Sequence, residues 1–424
     1  MLRVTPLTFA LATVMGWGLF LGVLVDRVEL FVAAVPLAIG LLGVGRHVGP
    51  SRFAIRQKNS VNRVAEGDRV VLTVSITAAD SISIIEVLVA LPALAGLDAK
   101  GNRTVLAIDP NRENGWSFAV RFPARGRYDT GTVYFRIWDR SGLMVYEGHQ
   151  ASPRLISVHP LITPIRDVPR PVETQLSFGN YVSPRLGQGI EPGEIRPFLP
   201  GDQTRHINWR ASLRRRQLYV TQFHEERNAD VVLLLDTLSD TGVPPYSTLD
   251  FSVRAAASLA TAYLARKDRV GFLEFGGYLR WIKPATGKRQ AEVLLEALLP
   301  AATHFSYVTP RLDRLPPRVL PPQALVVALS PLLDERFITA VIDLAARGFD
   351  VIVLAVSPIE PTRLGLGSSL LDELACGIWA MEWSDSADEL RRRGLMILPW
   401  HPDTPLEAVL APLARSRPRC AALQ

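Results

Sequence analysis

The sequence predicts a multi-domain chain: an N-terminal transmembrane helical hairpin, an antiparallel β-sandwich and a C-terminal α/β domain with a mostly parallel sheet. Three observations carry this. Two uncharged apolar runs open the chain, short runs of alternating polarity fill its middle, and fully apolar strands alternate with helical repeats towards its end. The composition agrees: 424 residues, 48% hydrophobic and 21% charged, are too apolar for disorder and enough for several cores. Two cysteines, Cys376 and Cys420, exclude a disulfide scaffold and a zinc finger. A net charge of +6 spread over this length does not point to a nucleic-acid binder.

The hairpin is read in residues 1–50. Residues 4–25 contain no charge and would run about 33 Å as a helix, enough to cross a hydrocarbon core of about 30 Å. Asp26 and Arg27 interrupt, and residues 30–45 form a second, shorter run. Arg3 precedes the first run, while Arg46, Arg52, Arg56 and Lys58 follow the second. Positive flanks stay inside, so both termini are expected in the cytoplasm, with the protein a two-span resident of the cell membrane. The first run is longer than a secretory h-region, and no small-residue cleavage site precedes Asp26.

Residues 60–165 are read as the sandwich. Residues 70–76 alternate apolar and polar, and strand-like stretches recur at 82–89, 116–122 and 131–138. Turn clusters such as Arg125-Gly126-Arg127 and Asp139-Arg140-Ser141-Gly142 separate them. The stretch shows no metal or nucleophile cluster, and a packing and spacer module is the expectation.

Residues 166–227 are read as a charged linker. Glycines at 187, 189 and 193 alternate with prolines at 184, 192, 197 and 200. Asp202, after Pro200-Gly201, is expected to cap a short helix by accepting from the amide of Thr204 or Arg205. Arg205, Trp209 and Ser212 would then lie along one side of that helix. Residues 217–223 read as a strand. Gly189, Glu194, Arg196, Phe198, Gly201-Asp202, Arg205, Ile207-Asn208-Trp209, Ser212 and Arg214 together resemble the signature of the domain of unknown function 58 family. Phe198 stands where Tyr is common, and Leu213 where Ala is usual.

That resemblance implies a membrane hairpin, a β-sandwich and a von Willebrand factor A-like (Rossmann-like) domain. It further implies a MoxR-type AAA+ ATPase as protein partner in bacterial envelope-related processes. For the signature residues two readings stand. Glu194, Arg196, Asp202 and Arg205 could form an internal ion network, which is favoured because a partly buried Arg needs a carboxylate. Alternatively, their guanidinium forks form a docking surface for partner carboxylates. Arg214, Arg215 and Arg216 read first as a solvated face.

The α/β domain is read over residues 228–424. Residues 231–235 are apolar throughout and end at Asp236, as a strand covered on both faces would. A helix follows, capped by Ser247 or Thr248; then come a hairpin over 270–282, a helix over 288–299 and a strand over 324–329. A helix capped by Asp334 and a strand over 351–356 complete the pattern. In such sheets ligands bind beyond the carboxyl ends of the strands. In von Willebrand A domains the first strand ends D-x-S-x-S and holds Mg²⁺. Here the sequence reads Asp236-Thr237-Leu238-Ser239-Asp240, and Ser330-Pro331 closes the later strand. Asp236, Ser239 and Asp240 are therefore the residues through which a degenerate site would take Mg²⁺; no other cofactor is expected.

No P-loop, dinucleotide fingerprint or nucleophile elbow is present in the sequence. The expected function is a non-catalytic, membrane-anchored protein-interaction or assembly module that touches the lipid bilayer and no nucleic acid. The rival is a divalent-metal-dependent hydrolase using the Asp236 strand edge, for which no general base is apparent.

Overall fold

The computed structural model describes residues 2–42, 53–98, 101–139, 142–169, 175–200, 202–304, 306–307, 310–367 and 369–416. The chain divides into two units, Met1–His159 and Pro160–Gln424.

The first unit opens with a strand that the sequence did not announce. β1 (Leu2–Val4) precedes α1 (Pro6–Val25) and α2 (Val28–Leu42). Val4, read as the start of the first span, is thus a strand residue. Thr5 ties strand to helix: its amide and hydroxyl donate to the Leu143 and Gly142 carbonyls at 3.0 and 2.9 Å, and the Thr8 hydroxyl also reaches Leu143. α1 is long and apolar enough to cross a membrane; α2 is apolar but shorter. The two pack where Gly22 lacks a side chain, since a Cβ there would lie 2.9 Å from the Phe31 ring. Arg46 and Arg52, part of the expected positive flank, lie outside the described residues.

The strands that follow are β2 (Phe53–Asn59), β3 (Arg63–Ala65), β4 (Arg69–Ala78), β5 (Ile82–Val89), β6 (Gly96–Leu97) and β7 (Arg103–Ile108). β8 (Asn114–Arg121), β9 (Gly126–Asp129), β10 (Thr132–Trp138), β11 (Met144–Ala151) and β12 (Leu155–His159) complete the unit. They form sheets of order β1-β11-β10-β5-β7, β2-β4-β8-β6 and β3-β12-β9. Alternation is the cause: Val70, Leu72, Val74 and Ile76 of β4 are buried in one cluster with Ile85, Val87, Phe135 and Ile137 of the five-stranded sheet. Two sheets sharing one core make a sandwich. One pair departs from the antiparallel expectation, since β12 runs parallel to β3. Across the five-stranded sheet Arg3, Glu147, Arg136, Glu86 and Arg103 form a ladder of alternating charge.

Gly131 shows how tightly this unit closes. A Cβ there would lie 1.8 Å from the Ser152 carbonyl oxygen and 2.8 Å from the Arg154 nitrogen. Both are backbone atoms of the adjacent segment and cannot swing aside. Gly131→Ala is expected to destabilise the chain by about 1–3 kcal/mol, read as a lower unfolding midpoint in urea.

In the second unit β13 (Gln175–Pro197) and β14 (Tyr219–Asn228) pair as an antiparallel ribbon around α3 (Trp209–Arg215). The segment read as a linker is therefore largely hydrogen-bonded. Then follow β15 (Asp230–Asp236), α4 (Thr248–Ala265), β16 (Arg269–Phe275), β17 (Leu279–Ala285), α5 (Lys288–Leu298), β18 (Leu325–Ser330) and α6 (Glu335–Ala346). β19 (Asp350–Val356), α7 (Ile359–Arg363), α8 (Leu370–Arg392), β20 (Met396–Trp400) and α9 (Leu406–Ser416) close the chain. The sheet runs β17-β16-β15-β18-β19-β20, parallel except for the edge strand β17.

Burial on both faces explains the apolar runs. Val231, Leu233 and Leu235 of β15 face a layer with α4, α5 and α9, while Val232 and Leu234 face α6 and α8. The caps expected from sequence are present: Ser247 accepts from the Asp250 amide at 3.1 Å, and Asp334 accepts from the Arg336 amide at 2.9 Å.

Candidate functional site

The connection from β15 leads to β16 on one side, and the later strand β18 lies on the other. Strand order thus reverses at β15, and its carboxyl end is the position at which such sheets bind ligands. Asp236 ends β15 there and is buried. Its Oδ1 accepts from the Leu238 amide at 2.9 Å and its Oδ2 from the Ser330 hydroxyl at 2.6 Å. The Ser330 oxygen in turn accepts from the Leu332 amide at 2.9 Å. Burial pushes the Asp236 carboxyl up to about 7, against these two hydrogen bonds, which favour the charged form.

Asp240 is engaged elsewhere. Its Oδ1 accepts from the Thr248 hydroxyl and the Leu249 amide, both at 2.9 Å, and so satisfies the N-terminus of α4. The Ser239 hydroxyl oxygen is buried and meets no polar partner among the described residues. A hard cation needs six or more oxygens converging on one point. Here Leu238 and Pro331 offer no side-chain donor, Asp240 faces α4, and Asp236 has both oxygens hydrogen-bonded. No group of three His, Cys, Asp or Glu side chains converges among the described residues. This donor set does not fit a divalent ion.

A guanidinium supplies positive charge nearby. Arg336 grips Asp334 through Nε and Nη2, at 2.9 and 2.7 Å, and donates from Nη1 to the Ser306 carbonyl at 2.6 Å. The fork holds the Asp334 carboxyl below its usual range, and both residues act electrostatically on Asp236. Tyr278 and Tyr307 stand exposed on loops at this end of the sheet. Nothing in the sequence pattern singled out Arg336; its position two residues past a helix cap was the available signal.

The signature segment holds together by its own contacts. Arg196 grips Asp202 at 2.6 and 2.8 Å, and the same carboxylate accepts from the Leu199 amide at 2.8 Å. Asp202 therefore closes the turn before it instead of capping the helix after it. The expected cap fails because Gln203 and Asn208 begin two separate helical pieces, Thr204–His206 and α3. Arg205 consequently leaves the network and donates to Gln203 at 2.8 Å. Asn208 caps α3 through the Ala211 amide at 3.0 Å. Ser212, buried, donates to the Asn208 carbonyl and accepts from the Tyr219 amide, at 2.8 and 2.9 Å, pinning α3 to β14. Trp209 and Arg214 are exposed. Glu194 lies in β13, and Gly201 lies outside the described residues.

Residues 194–378, which hold the signature from Glu194 onward and the Asp236 edge, match the family model described as Protein of unknown function DUF58. Over that segment, less than half of its length, the chain is similar to the DUF58 family. Uncharacterised proteins of Mycobacterium tuberculosis (strain H37Rv) and Mycobacterium bovis are each 28% identical to it over 123 residues, 28% of this chain and 39% of theirs. The chain thus spans less than half the length of these curated relatives. Among solved structures, native alpha-2-macroglobulin from Escherichia coli shares 18% identity, covering 36% of this chain and 21% of its own, at a TM-score of 0.23. The complex of Zinc 2-glycoprotein with Prolactin inducible protein shares 7%, covering 26% and 97%, at 0.21. Scores this low carry no argument. Within the DUF58 segment, the signature residues that the structure describes build a turn and a helix seat.

Proposed function

We propose that this protein is a non-catalytic, membrane-anchored interaction or assembly module. α1 and α2 form its two spans, both termini are cytoplasmic, and the von Willebrand factor A-like second unit offers its carboxyl edge to a partner protein. The family resemblance makes that partner a MoxR-type AAA+ ATPase in envelope-related processes. The apolar helix, Arg3 before it and the strand order support parts of the reading. One observation carries it: at the strand edge where such sheets bind, the buried acid Asp236 is occupied by structural hydrogen bonds, while Arg336 acts on it and exposed tyrosines stand on the loops of the same edge.

The test is photo-crosslinking from position 278 in native membranes with ATP hydrolysis blocked. An AAA+ ATPase is expected in the crosslinked band, and the chain is expected to stay in the membrane after alkaline extraction. A band without an ATPase sinks the partner assignment. Turnover by the purified chain that requires a divalent ion and vanishes in Asp236→Ala would replace the module with a hydrolase.

A further inference from the structure

α8 is the feature that the family signature does not absorb. Its 23 residues would extend about 34 Å, whereas the neighbouring strands of five to seven residues span roughly 20 Å. Trp383 marks the level of the sheet's carboxyl edge, because its indole N–H donates to the Pro331 carbonyl at 2.8 Å, one residue past β18. Trp383, Ala387 and Leu390 are buried against the sheet, whereas Cys376 is the sole buried residue in the turns before Trp383. Those earlier turns extend beyond the edge.

They carry an apolar stripe that stands exposed among the described residues. Leu371, Leu374, Ile378 and Met381 are 77%, 56%, 60% and 69% exposed, with Leu370 beside them at 72%. The spacing of three, four and three is that of a helix–helix seam. Ala375 and Gly377 flank it, and a Cβ on Gly377 would touch nothing, so a second helix could approach closely. Isolated exposed apolar residues are ordinary; a contiguous stripe of five on one helix is an interaction surface.

Charge selects the occupant. From Leu370 to Ala387 the helix carries Asp372, Glu373, Glu382 and Asp385 and no lysine or arginine, in a chain whose net charge is +6. At the start of the stripe Asp372 and Glu373 border a recess of about 190 Å³ beside Arg363 and Gly367. A second copy would set acid against acid along the seam. An anionic bilayer surface would repel it for the same reason.

We infer that the overhanging half of α8 is a docking helix whose partner is an amphipathic helix with an apolar stripe flanked by lysine or arginine. This deepens the interaction-module reading and rests on it only for the claim that the unit binds protein. Lysine side chains of such a partner would meet Glu382 and Asp385, which lie beside the stripe, while its apolar face covers Leu371, Leu374, Ile378 and Met381; Asp372 is spent on the helix cap and Glu373 pairs with Arg363.

The probe is a labelled synthetic helix with leucine at a and d positions and lysine on the flanks, titrated against the full chain in nanodiscs of zwitterionic lipid. A second peptide keeps the leucines and carries glutamate flanks. The lysine peptide is expected to bind at least about tenfold more tightly than the glutamate peptide and to weaken with added salt. The double variant Leu374→Glu/Ile378→Glu is expected to lose that binding and to keep its melting temperature, because both positions are exposed and glutamate suits a helix. Binding that is equal for both peptides, or unchanged in the double variant, overturns the inference. So does a stripe-dependent dimer in sedimentation, or lipid binding that the variant abolishes. A chain that binds the peptide yet leaves the membrane on alkaline extraction loses the anchor and keeps the docking helix.

Discussion

Asp236→Asn is expected to make the second unit more stable at pH 8 and to flatten its pH dependence. In the folded chain burial raises this carboxyl from 3.8 to about 7. Below about pH 4 both folded and unfolded states hold the proton, and no penalty exists. Between pH 4 and 7 the unfolded state ionises first, so stability falls as pH rises. Above 7 the folded state carries the buried charge, and the loss is complete at roughly 4 kcal/mol. Asparagine removes the charge and keeps the bonding: its oxygen can accept from the Leu238 amide and its NH₂ can donate to the Ser330 oxygen. Urea midpoints measured from pH 4 to 8 should decline for the wild type and stay level for the variant. Parallel curves would assign the decline to other groups. Asp236→Ala is the contrasting case, because it leaves the Leu238 amide and the Ser330 hydroxyl without their shared acceptor.

Phe337→Ala is expected to cost about 3–5 kcal/mol, a large fraction of the about 5–15 kcal/mol that usually holds a domain together. Phe337 is fully buried on the first turn of α6 and meets Phe275 edge to face, ring centres 5.6 Å apart. Its loss opens a void between α6 and the sheet. Phe337→Leu, which fills most of that volume, should cost much less. Because Asp334 and Arg336 sit beside it in sequence, the alanine variant should also disorder the Asp236 edge. Urea unfolding gives the cost, and a Trp383 fluorescence change at zero denaturant reports the edge. A loss under 1 kcal/mol would mean that α6 packs without this ring.

Much of the second unit was legible because its strands are buried on both faces. A run such as Val231 to Leu235 has few alternatives once Asp236 ends it, and Ser247 and Asp334 announce their helices by side-chain chemistry. The sandwich was legible from alternation in β4, where every second side chain enters the core. What could not be read was set by distant partners. β1 has three residues and becomes a strand only because β11 offers its edge. Asp202 was read both as a cap and as a partner of Arg196, and local sequence cannot show that the turn before it takes the carboxylate away from the helix end. Arg336 and the α8 stripe are surface features whose meaning depends on which loops and which neighbours the fold brings near. No element beyond the strand over 351–356 was read from the sequence, and helical spacing alone would not say whether a face is covered.

The pairing of β1 with β11 has a consequence for biosynthesis. The first residues of the chain leave the ribosome long before Met144 to Ala151 exist, and at about 5–20 residues per second the delay is of the order of ten seconds. During that interval the apolar helix can be handed to the translocation machinery, and the short strand beside it must wait without a neighbour. The last stitch of the sandwich is therefore made by the segment that was synthesised first.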